Sequence, residues 1–209
     1  MPTTGKTRRY SGQSADERSA ARRERLLGAA RELIGIRGFA ATSVERICAT
    51  AKVSTRNFYE LYDNKESIFL DLYERILTHS RDRAVASLTE TAGRHMRERV
   101  PAALLAYLGP MIEDPLAARI AFVEIMGASQ RLEERRLEFR EGLVQLVDTE
   151  GSAAVDRGEI APRDFRFAAL ALTGAANAII YDWARTPGQQ NVQDLEDALA
   201  ALAVTLLAD

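Results

Sequence analysis

The stretch TSVERICATAKVSTRNFYELYDNK, residues 42–65, decides the fold of this chain. Apolar side chains recur at helical spacing in its first half, at Val44, Ile47, Cys48 and Ala51. This spacing predicts a short helix with one buried face. Thr42 followed three residues later by Glu45 has the pattern of a capping box, so we expect Thr42 to cap this helix.

A second short helix is predicted after a turn at residues 51–53, with Ser54 as its amino-terminal cap. Its side chains are expected to point outward at Thr55, Arg56, Asn57, Tyr59 and Glu60, and inward at Phe58 and Leu61. A helix this short is not stable alone, so its polar face must serve something other than folding. Two short helices at this spacing, the second rich in hydrogen-bond donors, are typical of a DNA-binding helix-turn-helix.

These residues resemble the helix-turn-helix of the TetR family of bacterial transcriptional regulators, over roughly the first third of the chain. The apolar positions, Ser54, Tyr59 and Lys65 all fall in register. Lys52 and Arg56 depart from the pattern, since the family often has glycine at both places. The resemblance implies an all-α fold, in which an amino-terminal three-helix DNA-binding domain is joined by a long helix to a helical ligand-binding and dimerisation domain.

The composition is ordinary for a soluble globular protein: 209 residues, 46% hydrophobic, 28% charged and a net charge of −2. No apolar run approaches 18 residues, and the amino terminus lacks the apolar core of a signal peptide. We therefore expect no membrane partner. The single cysteine excludes an internal disulfide and suits the reducing cytoplasm, which is the expected location.

The near-neutral total hides a strong asymmetry of charge. Residues 1–65 contain 13 Lys or Arg against 7 Asp or Glu, whereas the remainder contains 15 against 23. A basic amino-terminal part on an acidic body indicates that only the first meets a polyanion. The amino-terminal arm carries Lys6, Arg8 and Arg9, which either reach a DNA groove or form a solvated tail.

Helical patterns continue along the whole chain. A capping box at Ser14 and Glu17 opens a helix that ends near Gly38, with its inner face at Leu26, Leu27, Ala30, Leu33 and Ile34. Asp63 and Glu66 predict the cap of a long connecting helix that runs from near Asn64 to about residue 92. We divide the chain into a DNA-binding domain, 1–63, and an effector-binding and dimerisation domain, 64–209. No Pro or Gly linker separates the two domains.

The second domain reads as five further helices, at about 97–112, 115–128, 130–156, 163–186 and 191–208. Prolines are expected in the first turns of helices, at Pro101, Pro115 and Pro162. Gly109-Pro110, Gly158 and Pro187-Gly188 are expected to interrupt helices.

Base recognition requires side chains that match base edges in the major groove. Arg56 suits guanine, Asn57 suits adenine, and Thr55 suits a thymine methyl group. The resemblance implies phosphate contacts from Thr42, Ser54, Tyr59 and Lys65. The alternatives are a solvated charge for Arg56 and a core position for Tyr59. Cys48 is interpreted as a small buried hydrophobe, with a redox-sensing thiol as the alternative.

The resemblance also implies a homodimer that forms a four-helix bundle from the last two helices of each subunit. Small residues follow one stripe of the first of these helices, at Ala171, Gly174, Ala175 and Ala178. The expected partner face includes Leu199, Leu202 and Leu206; the alternative is an intramolecular core. Two DNA-binding domains roughly 34–36 Å apart would select a near-palindromic operator in double-stranded DNA.

An effector pocket is expected among aromatic and flexible apolar residues of the second domain, with one amide, at Tyr107, Phe122, Met126, Phe139 and Asn177. A plain core role is the alternative for each. Glu124 either orients a ligand or forms an ion pair with an arginine such as Arg140. His79 and His95 lack the spacing of metal ligands, so neither a metal nor a cofactor is predicted.

The sequence therefore favours a DNA-binding transcriptional regulator, a repressor released by a small hydrophobic or aromatic effector. A constitutive or architectural DNA-binding dimer is the alternative, and a fully packed second domain would support it. No Gly-rich phosphate loop, nucleophile arrangement or metal cluster is present, so no catalytic residue and no enzyme activity are predicted.

Overall fold

The computed structural model describes residues 14–186 and 191–208, and across these two ranges it contains helices and no strand. The helices are α1 Ala15–Arg37, α2 Val44–Ala51, α3 Thr55–Tyr59, α4 Lys65–Glu90, α5 Met96–Ile112, α6 Pro115–Arg119, a π-helical segment Ile120–Glu124, α7 Gln130–Asp156, α8 Phe165–Arg185 and α9 Val192–Leu207. The all-α prediction is confirmed. Lys6, Arg8, Arg9 and Pro187-Gly188 lie outside the described residues.

We refer to α1–α3 as the head and to α4–α9 as the body. Helix α1 begins with the predicted capping box at Ser14 and Glu17, and all five residues of its predicted inner face are buried. Gly38 ends α1 with φ +89° and ψ 157°, a conformation that is essentially restricted to glycine. The chain then passes Phe39 and enters α2.

Two predicted caps were each wrong by one residue. Ser43, and not Thr42, caps α2 by accepting the Arg46 N–H, because the Thr42 side chain is turned inward. The capping box of α4 joins Asn64 and Ser67 rather than Asp63 and Glu66. In both places a neighbouring residue with a suitable side chain has the required extended backbone.

The predicted body helices are present, with three corrections. The expected helix over residues 115–128 consists of the short α6 and the π-helical segment, and ends before Gly127, where φ is +69°. Pro101 and Pro110 lie inside α5 rather than in a first turn or at a break. Pro162 precedes Asp164, the cap of α8, and is not in its first turn. Helix α5 continues through both prolines because its buried residues pack against α4 and α9, which offsets the lost backbone hydrogen bonds.

One hydrophobic core runs from the head into the body. Its fully buried members include Ile34 and Phe58 in the head and Met111, Ile125 and Leu199 in the body. Helix α1 packs directly against α6 and the π-helical segment. A smaller apolar cluster lies elsewhere in the body and includes residues of α5, α8 and α9. Because this core is continuous, the head packs against the body and is not joined to it only by a linker.

Helix α8 is more apolar than the sequence analysis stated, since no run approaching the length of a membrane span was expected. It has 21 residues, and an 18-residue window of it reaches a mean hydropathy of 1.2, so it is long and apolar enough to span a membrane by length and composition. Core helices of soluble proteins meet the same criteria. Here α8 packs against α6, α7, α9 and the π-helical segment, which accounts for its buried apolar residues.

Candidate nucleic-acid interface and effector cavity

Helix α3 has an exposed polar face and is held to the core by one buried aromatic residue, Phe58. Phe58 is fully buried and packs edge-to-face on Tyr59, with ring centroids 5.3 Å apart. Ser54 caps α3 by accepting the Asn57 N–H, as predicted. Thr55 and Arg56 are exposed, and Asn57 is half-buried. The three predicted base-reading residues therefore lie on one short, fixed helix.

Arg56 and Tyr59 are available for contacts outside the chain. The Arg56 side chain is 90% exposed, and its Nε lies 3.7 Å from Glu60 in a weak surface pair. Tyr59 is 57% exposed, which argues against a core role. Both side chains are thus positioned as a DNA-reading helix requires.

Thr42 has a different role from the one expected. It is only 2% exposed, and its hydroxyl donates a hydrogen bond to the Gly38 carbonyl at 2.9 Å. This side chain stabilises the turn between α1 and α2 and does not face solvent, so the phosphate contact expected of Thr42 is corrected. The exposed hydroxyl at this place is that of Ser43, which the sequence pattern did not single out.

Lys65 contributes to the fold at the position where a phosphate contact was expected. Its ammonium donates to the Phe39 carbonyl at 2.7 Å and lies 4.3 Å from the Phe39 ring centroid. Burial lowers the pKa of Lys65. The Phe39 ring in turn stacks on Phe69 of α4, with centroids 4.7 Å apart. Lys65 therefore joins the start of α4 to the chain that enters α2.

Lys52 ends α2 in the left-handed conformation, with φ 52° and ψ 47°. This conformation explains why glycine suits the position, since a non-glycine residue there costs about 1–2 kcal/mol. The residue that adopts this conformation is an exposed lysine at the turn between the two helices. An added cation beside a polyanion is one gain that offsets such a cost.

A network missed by the sequence analysis joins α1 to α4 through Asp71. Its carboxylate accepts hydrogen bonds from Tyr62 at 2.6 Å, from Arg23 at 2.9 Å and from Arg75 at 3.0 Å. Burial alone would raise the pKa of Asp71, but the bonds from Tyr62 and Arg75 lower it overall. The carboxylate therefore stays charged and holds the head on the body.

Cys48 is buried, and burial raises the pKa of its thiol, with a smaller contribution from Glu45. A raised pKa reduces the thiolate fraction on which thiol reactivity depends. Both observations favour the interpretation of Cys48 as a small core residue.

Replacing Arg56 with alanine is expected to weaken operator binding by about 1–3 kcal/mol and to relax the preference at one base pair. The exposed side chain carries little of the fold, so the thermal stability should not change. Selection of bound sequences from a random pool, with wild type and variant in parallel, measures this. An unchanged base preference would remove Arg56 from the reading residues.

The salt dependence of operator binding distinguishes the two roles of Lys65. If its ammonium also meets a phosphate, the Lys65→Ala variant should reduce the slope of log K against log salt by about 0.9. If it only holds Phe39, the affinity falls while the slope stays equal to that of the wild type. Titrations at several salt concentrations separate these outcomes.

The body contains a partly open cavity of about 310 Å³ between α4, α5, α7, α8 and the π-helical segment. All five residues expected at an effector pocket line it: Tyr107, Phe122, Met126, Phe139 and Asn177. Most of the remaining wall is aliphatic, from residues such as Leu77, Leu104 and Leu143. The size and lining are those of a small-molecule site.

A few polar groups of the cavity wall lack a partner. Within residues 14–186 and 191–208, no hydrogen bond holds the Tyr107 hydroxyl or the Asn177 amide, and the Arg140 Nε is buried without a partner. Burial raises the pKa of Tyr107, which keeps its hydroxyl protonated as a donor. Arg136, also on the wall, is held by Glu133 at 2.5 Å. Unpaired donors in an apolar cavity are suited to fix the polar end of a ligand.

Glu124 does not line the cavity and does not pair with Arg140. Its carboxylate accepts a hydrogen bond from Arg119 at 3.0 Å and one from the Phe39 backbone N–H, across the head–body contact, at 2.8 Å. The expected ion pair with an arginine is therefore present, but the arginine is Arg119 rather than Arg140. The additional bond from Phe39 joins residues that are far apart in the chain, and no local pattern predicts it.

The predicted dimer stripe on α8 is open to solvent in the single chain, with Gly174 and Ala178 exposed and Ala171 half-buried. Phe167 extends this stripe one turn towards the amino end and is 72% exposed, a residue that the sequence analysis missed although it lies four positions before Ala171. On α9, Leu202 and Leu206 are half-buried, but Leu199 is fully buried. Leu199 belongs to the core of its own chain and is not available to a partner.

Comparisons with known proteins match both parts of the chain. The family of bacterial regulatory proteins described as the tetR family matches residues 26–72. A second family, described as the tetracyclin repressor-like C-terminal domain, matches residues 93–207.

A curated relative, the fatty acid metabolism regulator protein of Bacillus subtilis (strain 168), is 20% identical over 181 residues, which cover 86% of this chain and 92% of the relative. The crystal structure of FadR from Bacillus subtilis in complex with stearoyl-CoA is similar with a TM-score of 0.78 and 19% identity, over 88% of this chain and 97% of that one. The fatty acid degradation regulator FadR from Bacillus halodurans has a TM-score of 0.76 and 18% identity, over the same shares.

Proposed function

Because the chain belongs to the TetR family of bacterial regulatory proteins, we propose that it is a homodimeric repressor that a small hydrophobic effector releases from a near-palindromic operator. The family consists of transcriptional regulators rather than enzymes. The proposed division assigns residues 1–63 to DNA binding and residues 64–209 to effector binding and dimerisation. The proposed location is the cytoplasm, where the operator lies.

The observation that supports effector control is the cavity of about 310 Å³ in the body. A constitutive DNA-binding dimer gains nothing from a deep apolar cavity in its body, since unfilled space in a core loses packing contacts. The cavity also carries unpaired donors from Tyr107, Asn177 and Arg140. A ligand with an apolar chain and a polar end would satisfy the wall and these groups together.

We further propose that the effector is a long acyl chain with an anionic end, as in a fatty acyl-CoA. The aliphatic wall suits the chain, and the Arg140 guanidinium, whose Nε has no partner, suits an anion. The Bacillus subtilis FadR, bound to stearoyl-CoA, has a similar fold. A hundredfold loss of operator affinity on binding would need a coupling free energy of about 2.7 kcal/mol, within the usual range.

Calorimetric titration with stearoyl-CoA, stearate and free coenzyme A tests the effector proposal. We expect stearoyl-CoA to bind and coenzyme A alone not to bind, because the apolar chain supplies most of the buried area. The Arg140→Met variant keeps the aliphatic stem but loses the charge, and should bind stearoyl-CoA about tenfold more weakly. Absence of binding by both acyl compounds would refute an acyl effector.

A further inference from the structure

We propose that Glu124 is the positioning residue that couples the cavity to the DNA-binding helices. This inference rests on the proposed function. The π-helical segment that contains Glu124 faces the cavity on one side and the head on the other. Ala121, Phe122 and Met126 line the cavity, whereas the Glu124 carboxylate lies against the turn between α1 and α2.

The Glu124 carboxylate is fixed at both oxygens. Oε2 accepts the Phe39 N–H at 2.8 Å, and Oε1 accepts from Arg119 at 3.0 Å. The side chain is only 13% exposed, and both of its oxygens accept hydrogen bonds. The head's contribution is a backbone N–H, which cannot move without moving the chain that enters α2.

The turn on the head side leaves little freedom around this contact. A Cβ on Gly38 would lie 3.0 Å from Glu124 Oε2, a tight contact, and the φ of +89° at Gly38 also favours glycine. The Gly38 carbonyl is held by Thr42, and the Phe39 carbonyl is held by Lys65 at the start of α4. A displacement of Phe39 is therefore passed to the starts of both α2 and α4.

The segment on the cavity side is the part of the body most suited to change shape. A π-helical turn carries one more residue per hydrogen bond than an α-helix, and such turns are frequent at functional sites. An effector in contact with Phe122 could convert this segment to an α-helix. The residues that follow it would then move by one position along the helix, which is a rotation of about 100° about the helix axis. Glu124 would then lose its alignment with the Phe39 N–H.

A second bond attaches the chain just after this segment to α4. The Ser129 hydroxyl donates to Glu66 at 2.9 Å. Residues 125–128, which include Met126 of the cavity wall, thus connect Glu124 to Ser129. Glu124 contacts the head and Ser129 contacts the start of α4. Movement of the wall reaches the DNA-binding helices by this short route, in addition to any tilt of α4.

The test compares Glu124→Ala with Glu124→Gln, which keeps an oxygen that accepts the Phe39 N–H. Glu141→Ala is the matched control, because Glu141 also accepts bonds from an arginine, Arg166, but lies within the body. The measurements are hydrogen exchange of the Phe39 amide, operator affinity without ligand, and the ratio of operator affinities without and with stearoyl-CoA.

We expect Glu124→Ala to speed exchange at Phe39, to weaken ligand-free operator binding about tenfold and to reduce the response to stearoyl-CoA. Glu124→Gln should recover operator binding to within about threefold of the wild type, and Glu141→Ala should match the wild type in all three measurements. Faster exchange at Phe39 with unchanged operator affinity would overturn the proposal, because Glu124 would then be merely structural.

The failure of the effector proposal can be told apart from the failure of this one. If wild-type operator binding does not respond to stearoyl-CoA, the acyl effector is refuted. The role of Glu124 is then decided by ligand-free operator affinity: a loss in Glu124→Ala that Glu124→Gln restores supports it, and wild-type affinity in Glu124→Ala overturns it.

Discussion

The Gly174→Glu variant is expected to be monomeric and to bind the operator about 10²–10⁴-fold more weakly than the wild type, because linking two reading heads supplies this much avidity. Gly174 is exposed in the middle of α8, and a Cβ added there would have no atom within 4 Å in the single chain. The helix propensity of glutamate exceeds that of glycine by about 0.5–1 kcal/mol, so the variant should not destabilise the monomer. In a close-packed dimer, the same carboxylate would be buried without a partner.

Gly142→Glu is the matched control for this variant. Gly142 lies inside α7, is exposed and also has open space around it, but it is outside the proposed dimer stripe. It should remain dimeric by light scattering at micromolar concentration and keep its operator affinity. A Gly174→Glu protein that stays dimeric would contradict the proposed α8 interface, and a wild type with the mass of a monomer would contradict the dimer itself.

The Gly151→Ala variant is expected to lose about 1–3 kcal/mol of stability, because a single methyl group would overpack the body. A Cβ on Gly151 would lie 2.4 Å from the Cδ1 atom of Phe165, a ring carbon that cannot give way cheaply. Phe165 is itself buried at the start of α8. Thermal unfolding measures the loss as a fall of about 2–4 °C for each kcal/mol.

The Gly142→Ala variant on the same helix should have the opposite effect. No neighbour stands within 4 Å of its Cβ, so alanine should stabilise α7 by about 0.5–1 kcal/mol. Equal melting temperatures for the two variants would show that α7 and α8 do not approach each other closely at Gly151.

Local patterns in the sequence predicted most of the fold. The spacing of Leu26, Ala30 and Ile34 identified the buried face of α1, and Ser54 was recognised as a cap, because both signals depend on residues within one or two turns. Caps failed where two suitable residues are adjacent, as with Thr42 and Ser43, since only the backbone conformation decides between them.

Tertiary contacts decided the rest. Pro101 was expected in the first turn of a helix, but it lies inside α5, which begins at Met96 and packs against α4 and α9. Aromatic side chains on body helices correctly indicated residues of the cavity wall, although Phe122 and Phe139 also pack in the core. The bond from Phe39 to Glu124 joins residues 85 positions apart, and no sequence pattern predicts it.

Fluorescence anisotropy of a labelled operator, selected from a random pool with this protein, tests the central claim most directly. The titration is made without ligand, and then with stearoyl-CoA at a concentration that fills the cavity. We expect operator affinity to fall at least about tenfold on addition of stearoyl-CoA, which corresponds to a coupling of about 1.4 kcal/mol. If operator binding is undiminished when the cavity is occupied, the proposal that an effector releases the protein from its operator is contradicted.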